Sequence, residues 1–310
     1  MFSVVFPGQG SQKVGMASDL YQKFDIFKKN FRLADEILDF KLSSLILEGP
    51  EDKLNLTENT QPAIFLVSFS IFNLIKNEFN ANIDNAAFYA GHSLGEYTAA
   101  TCAGYLNFED TIKILKIRGK AMQQAVPEGE GGMLAILGSD INTIDQIFEE
   151  NKNNFKCYVA NDNSNSQLVV SGTNENLDKL TQNLNLKKIK NIRLSVSAPF
   201  HCELMQKATK IVSDEIKNVT IKDSKKKLVS NVTANEISNS TDLQKLLVSQ
   251  IENKVRWRES IQYLIKNGVN NFIEIGPGKV LSGLIKRIDK SIKISAINNE
   301  KDINSIILND

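Results

Sequence analysis

Phe88-Tyr89-Ala90-Gly91-His92-Ser93-Leu94-Gly95-Glu96-Tyr97 is the stretch on which the reading of this chain turns. An apolar run, Ala86–Ala90, ends at Gly91, and a G-x-S-x-G pattern leads into Glu96–Cys102, which can form a helix. A serine held in a strand-to-helix turn is a nucleophile elbow. The turn is tight enough that a Cβ on either flank would collide, and the hydroxyl lies at a helix N-terminus, where the dipole favours developing negative charge. The plainer alternative is a glycine-rich turn with an incidental serine; a strand before it and a helix after it favour Ser93 as a nucleophile.

On both sides of that turn, strands alternate with helices, which predicts an α/β fold. Phe2–Phe6 reads as a strand, and Ala17–Phe40 carries broken helical periodicity. Thr60-Gln61-Pro62 reads as a helix start, with Thr60 as N-cap and Pro62 in the first turn. The helix through about Phe79 is apolar nearly all round and therefore buried. Asn107 caps a second helix running to Gln124, with Glu109 and Asp110 in its first turn. The rhythm then changes. Met133–Leu137, Ile141–Glu150, Phe155–Ala160, Gln167–Ser171, Asn176–Leu184 and Ile189–Val196 follow the order β-α-β-β-α-β, the ferredoxin-like arrangement. Residues 127–196 are thus expected to form an inserted subdomain between the two parts, 1–126 and 197–310, of a larger one. Strands near Leu228–Val232, Phe272–Ile275 and Ile292–Ala296 resume the α/β rhythm.

Composition narrows the partners. With 37 Lys plus Arg against 36 Asp plus Glu, the net charge of +1 gives no reason to expect nucleic acid or a membrane surface. Met1–Phe6 lacks a basic lead-in and runs into a Pro-Gly turn, so it reads as a core strand rather than a targeting segment. The most apolar stretch, Ala63–Ile75, is too short to span a bilayer and is interrupted by Ser68, Ser70 and Asn73. Cys102, Cys157 and Cys202 are far apart and lack metal-ligand spacing. They read as reduced thiols of a cytoplasmic protein with no metal site.

A serine hydroxyl needs a base to take its proton, and the chain has only two histidines. His92 adjoins Ser93, and neighbouring side chains near a strand end point in opposite directions, which suits it to a structural hydrogen bond. His201, beyond the inserted segment, is the expected base. Pro7-Gly8-Gln9-Gly10-Ser11-Gln12 follows the first strand but lacks the glycine at position 13 and the Gly-Lys-Ser/Thr that a phosphate loop would need. Such a loop can instead bring a backbone N–H near Ser93 and, with the N–H of Leu94, make a two-donor oxyanion hole. Arg118, flanked by apolar residues in Ile117-Arg118-Gly119-Lys120, reads on its own first as a solvated or structurally paired arginine. An acyl group ending in a free carboxylate would supply another partner, because guanidinium grips carboxylate through two parallel hydrogen bonds.

Seven segments in order resemble the malonyl-CoA:acyl carrier protein transacylases of bacterial type II fatty acid synthesis. They are Phe6–Gln12, Thr60–Ala63, Gly91–Tyr97, Ile117–Met122, Phe200–Cys202, Asn253–Trp257 and Glu274–Gly278, so the resemblance covers essentially the whole chain. It implies an α/β-hydrolase-like large subdomain with a parallel sheet, holding the inserted ferredoxin-like one. It implies that Ser93 becomes malonylated and that His201 is the base, oriented by the main-chain carbonyl of Gln250 in place of an acid. The oxyanion donors would be the amides of Gln9 and Leu94, and Arg118 would pair with the malonyl carboxylate. Leu94 after the nucleophile and Phe200 before the histidine are the types that accompany malonyl. The implied partners are malonyl-CoA and acyl carrier protein, with no cofactor. Carrier proteins are usually acidic, which makes Lys187-Lys188 with Lys190, Lys225–Lys227 and Lys286-Arg287 candidate contacts, although each also reads as a solvated charge run. Two rivals remain at this level: a thioesterase or esterase that passes the acyl group to water, and a non-catalytic module that binds carrier protein.

Overall fold

The computed structural model describes residues 1–79, 81–196 and 198–307, so Asn80, Ser197 and residues 308–310 of the expected larger part lie outside the described residues. The fold is α/β, with one parallel and one antiparallel sheet. β1 (Phe2–Phe6) is followed by helices α1 (Ser18–Lys23), α2 (Asp25–Leu38), α3 (Leu42–Glu48), α4 (Glu51–Leu54) and α5 (Thr57–Glu78). Then come β2 (Phe88–Gly91), α6 (Leu94–Cys102) and α7 (Phe108–Gln123). The antiparallel part runs β3 (Gly131–Leu137), α8 (Ile141–Glu150), β4 (Cys157–Ser164), β5 (Gln167–Thr173), α9 (Asn174–Leu186) and β6 (Lys190–Arg193). The chain closes with α10 (Gln206–Glu215), β7 (Lys227–Leu228), α11 (Ser240–Ser249), α12 (Trp257–Lys266), β8 (Asn271–Ile275), α13 (Val280–Ile288), β9 (Lys293–Ile297) and α14 (Glu300–Ile307).

The parallel sheet has the order β7-β2-β1-β8-β9. Helices cover both of its faces, which is why its central strands read as unbroken apolar runs rather than alternating ones. Within β1 the alternation still sorts the side chains: Val4 and Phe6 enter the larger core, and Val5 enters the one under α12 and α13. The second sheet, β4-β5-β3-β6, is antiparallel throughout. Leu134, Ile136, Leu168 and Val170 from one of its faces pack on Ile144, Ile147, Leu177 and Leu180 of α8 and α9.

Four expected boundaries move. The long helix starts at Thr57, with Leu56 in the N-cap position. Thr60 sits inside the first turn, where its hydroxyl donates to the carbonyls of Leu54 (2.6 Å) and Leu56 (3.1 Å) instead of accepting from a backbone N–H as a cap would. Pro62 is therefore interior, where it withdraws one backbone donor. β4 extends to Ser164 through two irregularities, because its outer residues pair with a second segment: Val255 donates to the carbonyl of Ala160 (2.8 Å) and Asp162 to that of Val255 (2.9 Å). β6 stops at Arg193, and Leu194, Ser195 and Val196 leave the sheet to line a cavity. β7 keeps only two residues, because the chain after Leu228 turns to carry Asn231 under Ser93.

Candidate active site

The elbow is built from close backbone approaches. A Cβ on Gly91 would lie 1.9 Å from the carbonyl oxygen of Gly95, and one on Gly95 would lie 2.2 Å from that of Phe6. Only hydrogen fits at either position, which ties α6 against the ends of β1 and β2. Between them Ser93 holds φ +53°, ψ −112°, outside the comfortable range of a non-glycine residue. Asn231 holds it there: its side-chain oxygen accepts from the Ser93 amide at 2.8 Å, and its amide nitrogen donates to the Gly91 carbonyl at 2.7 Å.

His201 reaches Ser93 from the segment after β6. Its Nε2 lies 2.9 Å from Ser93 Oγ, and its Nδ1 lies 2.8 Å from the main-chain carbonyl of Gln250. A carbonyl can only accept, so Nδ1 carries the hydrogen and Nε2 presents its lone pair to the serine. Burial, and then the positive charge of Arg118, pull the His201 pKa down to about 3. The imidazole is therefore neutral and free to accept a proton. His201 also has positive φ, so both members of the pair are held in strained backbone. His92 turns away from Ser93, as the alternation of neighbouring side chains predicts. Its Nε2 lies 2.8 Å from Asn163 Oδ1, and its ring meets Trp257 edge-on.

Arg118 projects from α7 into the interior and is fully buried. Its Nη1 donates to Gln61 Oε1 (2.7 Å), and its Nη2 donates to Gln250 Oε1 (2.7 Å) and Ser93 Oγ (3.2 Å). The guanidinium also lies over the Tyr97 ring, 5.4 Å from its centroid, and its Nε meets no acceptor among the described residues. Burial lowers its pKa without discharging it. A cation with neutral amides as its bonding partners is able to take a carboxylate.

Gln9, Leu94 and Phe200 line a cavity of about 430 Å³ together with Ser93, His92 and His201. The amides of Gln9 and Leu94 donate to no protein acceptor among the described residues. Leu94 opens α6, so its N–H is one of the free donors of a helix start. Gln250 acts twice: its main chain meets His201, and its side chain meets Arg118, Ser93 and Glu96. The candidate basic runs lie elsewhere and are largely engaged, Lys187 with Glu150, Lys226 with Asp84 and Lys227 with Glu236. Arg287 differs in bonding Gln167, which lines the cavity.

Gln61, Glu96, Asn163 and Asn231 belong to the site but were not singled out from the sequence. Glu96 left a trace, as the one acid of a short helix of small and apolar residues. Gln61 lay inside a segment read as a helix start, Asn231 inside one read as a strand, and Asn163 in a stretch with no periodic signal.

No helix among the described residues is long and apolar enough to cross a membrane, and no cluster of potential metal ligands occurs among them. The cysteines are free and buried.

Residues 3–304 match the family model described as acyl transferase domain. The malonyl CoA-acyl carrier protein transacylase of Bacillus subtilis is 41% identical over 303 residues, covering 96% of this chain and 94% of that protein. The acyl-carrier-protein S-malonyltransferase structure from Bartonella henselae superposes with a TM-score of 0.95 at 38% identity, over 99% of this chain and 98% of that one. A malonyl-transacylase solved in complex with a type II PKS acyl-carrier protein gives a TM-score of 0.95 at 35% identity, over 100% of this chain and 99% of that one. The chain belongs to the acyl transferase family.

Proposed function

We propose that this chain moves malonyl from malonyl-CoA to the phosphopantetheine thiol of acyl carrier protein through a malonyl-Ser93 intermediate, supplying extender units for fatty acid synthesis in the cytoplasm. One observation carries the reading: Ser93 Oγ lies 2.9 Å from the base His201 and 3.2 Å from a buried arginine that hydrogen-bonds only neutral groups. Nucleophile, base and carboxylate anchor meet at one atom. A hydrolase acting on neutral acyl groups has no use for the third.

His201 Nε2 takes the Ser93 proton as Oγ attacks the thioester carbon. The amides of Gln9 and Leu94 receive the oxyanion. As the tetrahedral adduct collapses, the C–S bond breaks and the imidazolium returns its proton to the CoA sulfur. In the second half the carrier thiol gives its proton to His201, sulfur attacks the ester, and Ser93 Oγ leaves with that proton. Neither half changes an oxidation state, so neither calls on a redox cofactor. The Gln250 carbonyl holds the imidazole in the required tautomer. Pairing of the malonyl carboxylate with Arg118 also offsets the charge that depresses His201, so the correct acyl group strengthens the base. Phe200 and Leu94 wall the acyl site against a methyl-branched unit, a discrimination of about 1–3 kcal/mol.

The sheet order β4-β5-β3-β6 with two helices on one face supports reading 127–196 as a ferredoxin-like subdomain. The parallel sheet with its serine elbow supports an α/β-hydrolase-like subdomain over 1–126 and 197–310.

Intact-mass measurement after brief exposure to malonyl-CoA tests the proposal. The wild type gains one malonyl group, which acyl carrier protein then discharges, and Ser93→Ala gains none. Free malonate appearing without carrier protein would make the chain a hydrolase. Absence of both adduct and malonate would favour a carrier-binding module.

A further inference from the structure

Glu96 is the second fully buried charged group of the site. It lies on the first turn of α6, three residues past the nucleophile, so the elbow aims it inward beneath Ser93. Its Oε2 accepts from Gln250 Nε2 (2.5 Å) and from the backbone of Asn231 (3.1 Å). Its Oε1 has no protein partner among the described residues. The other end of the same Gln250 amide accepts from Arg118 at 2.7 Å. One side-chain amide thus stands between one buried carboxylate and one buried guanidinium.

That arrangement compensates a single positive charge. A carboxylate brought to Arg118 by an acyl group makes two anions for one cation beside two fully buried resident charges, and desolvation of the uncompensated anion is costly. The less costly outcome is a proton on whichever carboxylate lacks the direct guanidinium contact. Resting on the malonyl-transfer reading, we propose that Glu96 is the resident counter-charge of Arg118 and takes up a proton from solvent when a carboxylate-bearing acyl group is loaded on Ser93. Glu96 is then a positioning residue: through Gln250 and Asn231 it holds the Arg118 fork and the Ser93 turn, and its ionisation tracks what occupies the acyl site.

The proton count is closed. The Ser93 proton leaves on CoA thiol, so transfer itself is proton-neutral, and the extra proton resides on Glu96. Burial raises the Glu96 pKa to about 7 before loading, against the lowering effects of Gln250, Asn231, Ser230 and Arg118. Arg118 on α7 and Tyr97 beside it are the charged or titratable groups that act on it among the described residues. Tyr97 is pushed up to about 12 and His201 down to about 3, so neither titrates near neutrality.

The sign follows from linkage. The loaded state binds more protons, so the equilibrium for acylation falls as pH rises through the Glu96 pKa of the unloaded state. With that pKa at about 7, the acylation constant drops roughly fivefold from pH 7 to pH 8 and is nearly flat below pH 6. The CoA thiol ionises near pH ~8.5 and acts in the opposite direction, so it cannot mimic the drop. The experiment measures the malonylated fraction by intact mass at fixed malonyl-CoA and CoA concentrations, between pH 6 and 8. Wild type is expected to show the drop; Glu96→Gln, which keeps an acceptor for Gln250 and Asn231 but cannot ionise, is expected to give a flat profile. Acetyl-CoA with wild type, which needs no variant to fold, is also expected to give a flat acylation profile. A malonyl profile that is flat in wild type, or equally steep in Glu96→Gln, overturns the proposal alone. No malonyl adduct at any pH overturns it together with the reading beneath it.

Discussion

Two arginines reach inward from helices on opposite faces of the parallel sheet, and they are held in opposite ways. Arg258, on α12, grips Asp162 with Nε at 3.0 and 3.1 Å and Nη2 at 2.8 Å, and that carboxylate is fully buried. Arg118, more deeply buried, hydrogen-bonds two amide oxygens and a serine hydroxyl and leaves Nε unbonded. The hydrogen bonds that Arg258 donates to Asp162 raise its pKa, whereas burial lowers that of Arg118. The first has its anion supplied by the chain. The second is kept near neutral acceptors, with Glu96 one amide away, so its direct anion can come from outside. On the proposed function, the difference separates a structural arginine from a binding one without reference to any ligand.

If that distinction is sound, the largest effect of substitution falls on stability at Arg258. Arg258→Ala strands a buried carboxylate, which costs about 3–5 kcal/mol, read as a lower midpoint in urea unfolding. Asp162→Asn in the same chain removes the stranded charge and is expected to recover part of the loss. Arg118→Ala strands neutral acceptors instead, and Glu96, with its pKa already raised to about 7, can discharge by protonation. Its unfolding cost is expected to be smaller, about 1–3 kcal/mol.

Activity reverses the order. Loss of a charge-assisted, two-pronged contact made with the acyl group is worth roughly 2–4 kcal/mol, or about 30- to 1000-fold in kcat/KM for malonyl-CoA. Acetyl-CoA has no carboxylate to lose and is expected to suffer far less from Arg118→Ala. Equal losses for the two donors would erase the contrast between the arginines. Arg118→Lys is expected to retain only part of the malonyl activity, since one ammonium cannot reproduce the planar fork.

The sequence made the pairing of Ser93 with His201 legible and left its supports hidden. Ser93 and His201 could be located because glycine spacing is a local signal and only two histidines compete for the base. Arg118 could be singled out as an arginine among apolar neighbours, but its direction of approach could not. Asp162 lay in an asparagine-rich stretch left between two expected strands. It is strand because Val255, far along the chain, pairs with it, and no local pattern encodes that partner. Glu96 and Asn231 were passed over for the same reason: their bonds to Gln250, Ser93 and each other are set by the fold rather than by spacing.

Intermediate effects probe the helix that carries Arg118. At Gly119 an added Cβ would come within 2.5 Å of the Thr57 carbonyl oxygen and 2.8 Å of Glu58 Cα, both backbone atoms of α5. Gly119→Ala therefore forces α5 and α7 apart, at about 1–3 kcal/mol of overpacking. Because Gln61 on α5 and Arg118 on α7 share a hydrogen bond across that seam, the strain also reaches the guanidinium. The expected result is a malonyl-to-acetyl rate ratio lowered several-fold, together with reduced stability.

The smallest effect separates helix stability from arginine placement. Asn107 caps α7, its side-chain oxygen accepting from the Asp110 amide at 2.8 Å. Asn107→Ala removes that acceptor from a partly exposed helix start, at a cost of about 1 kcal/mol. The cap is three turns from Arg118, and α7 between them stays fastened by the buried Thr111, Ile112 and Leu115, with the Thr111 hydroxyl 2.8 Å from that of Thr101 on α6. A fraying first turn is therefore not transmitted to the guanidinium. Urea unfolding is expected to shift while the malonyl-to-acetyl ratio stays at the wild-type value, the opposite pairing to Gly119→Ala. Should the ratio fall with the cap, Arg118 would owe its position to the helix as a whole, and its amide partners Gln61 and Gln250 would not be what holds it ready for an incoming carboxylate.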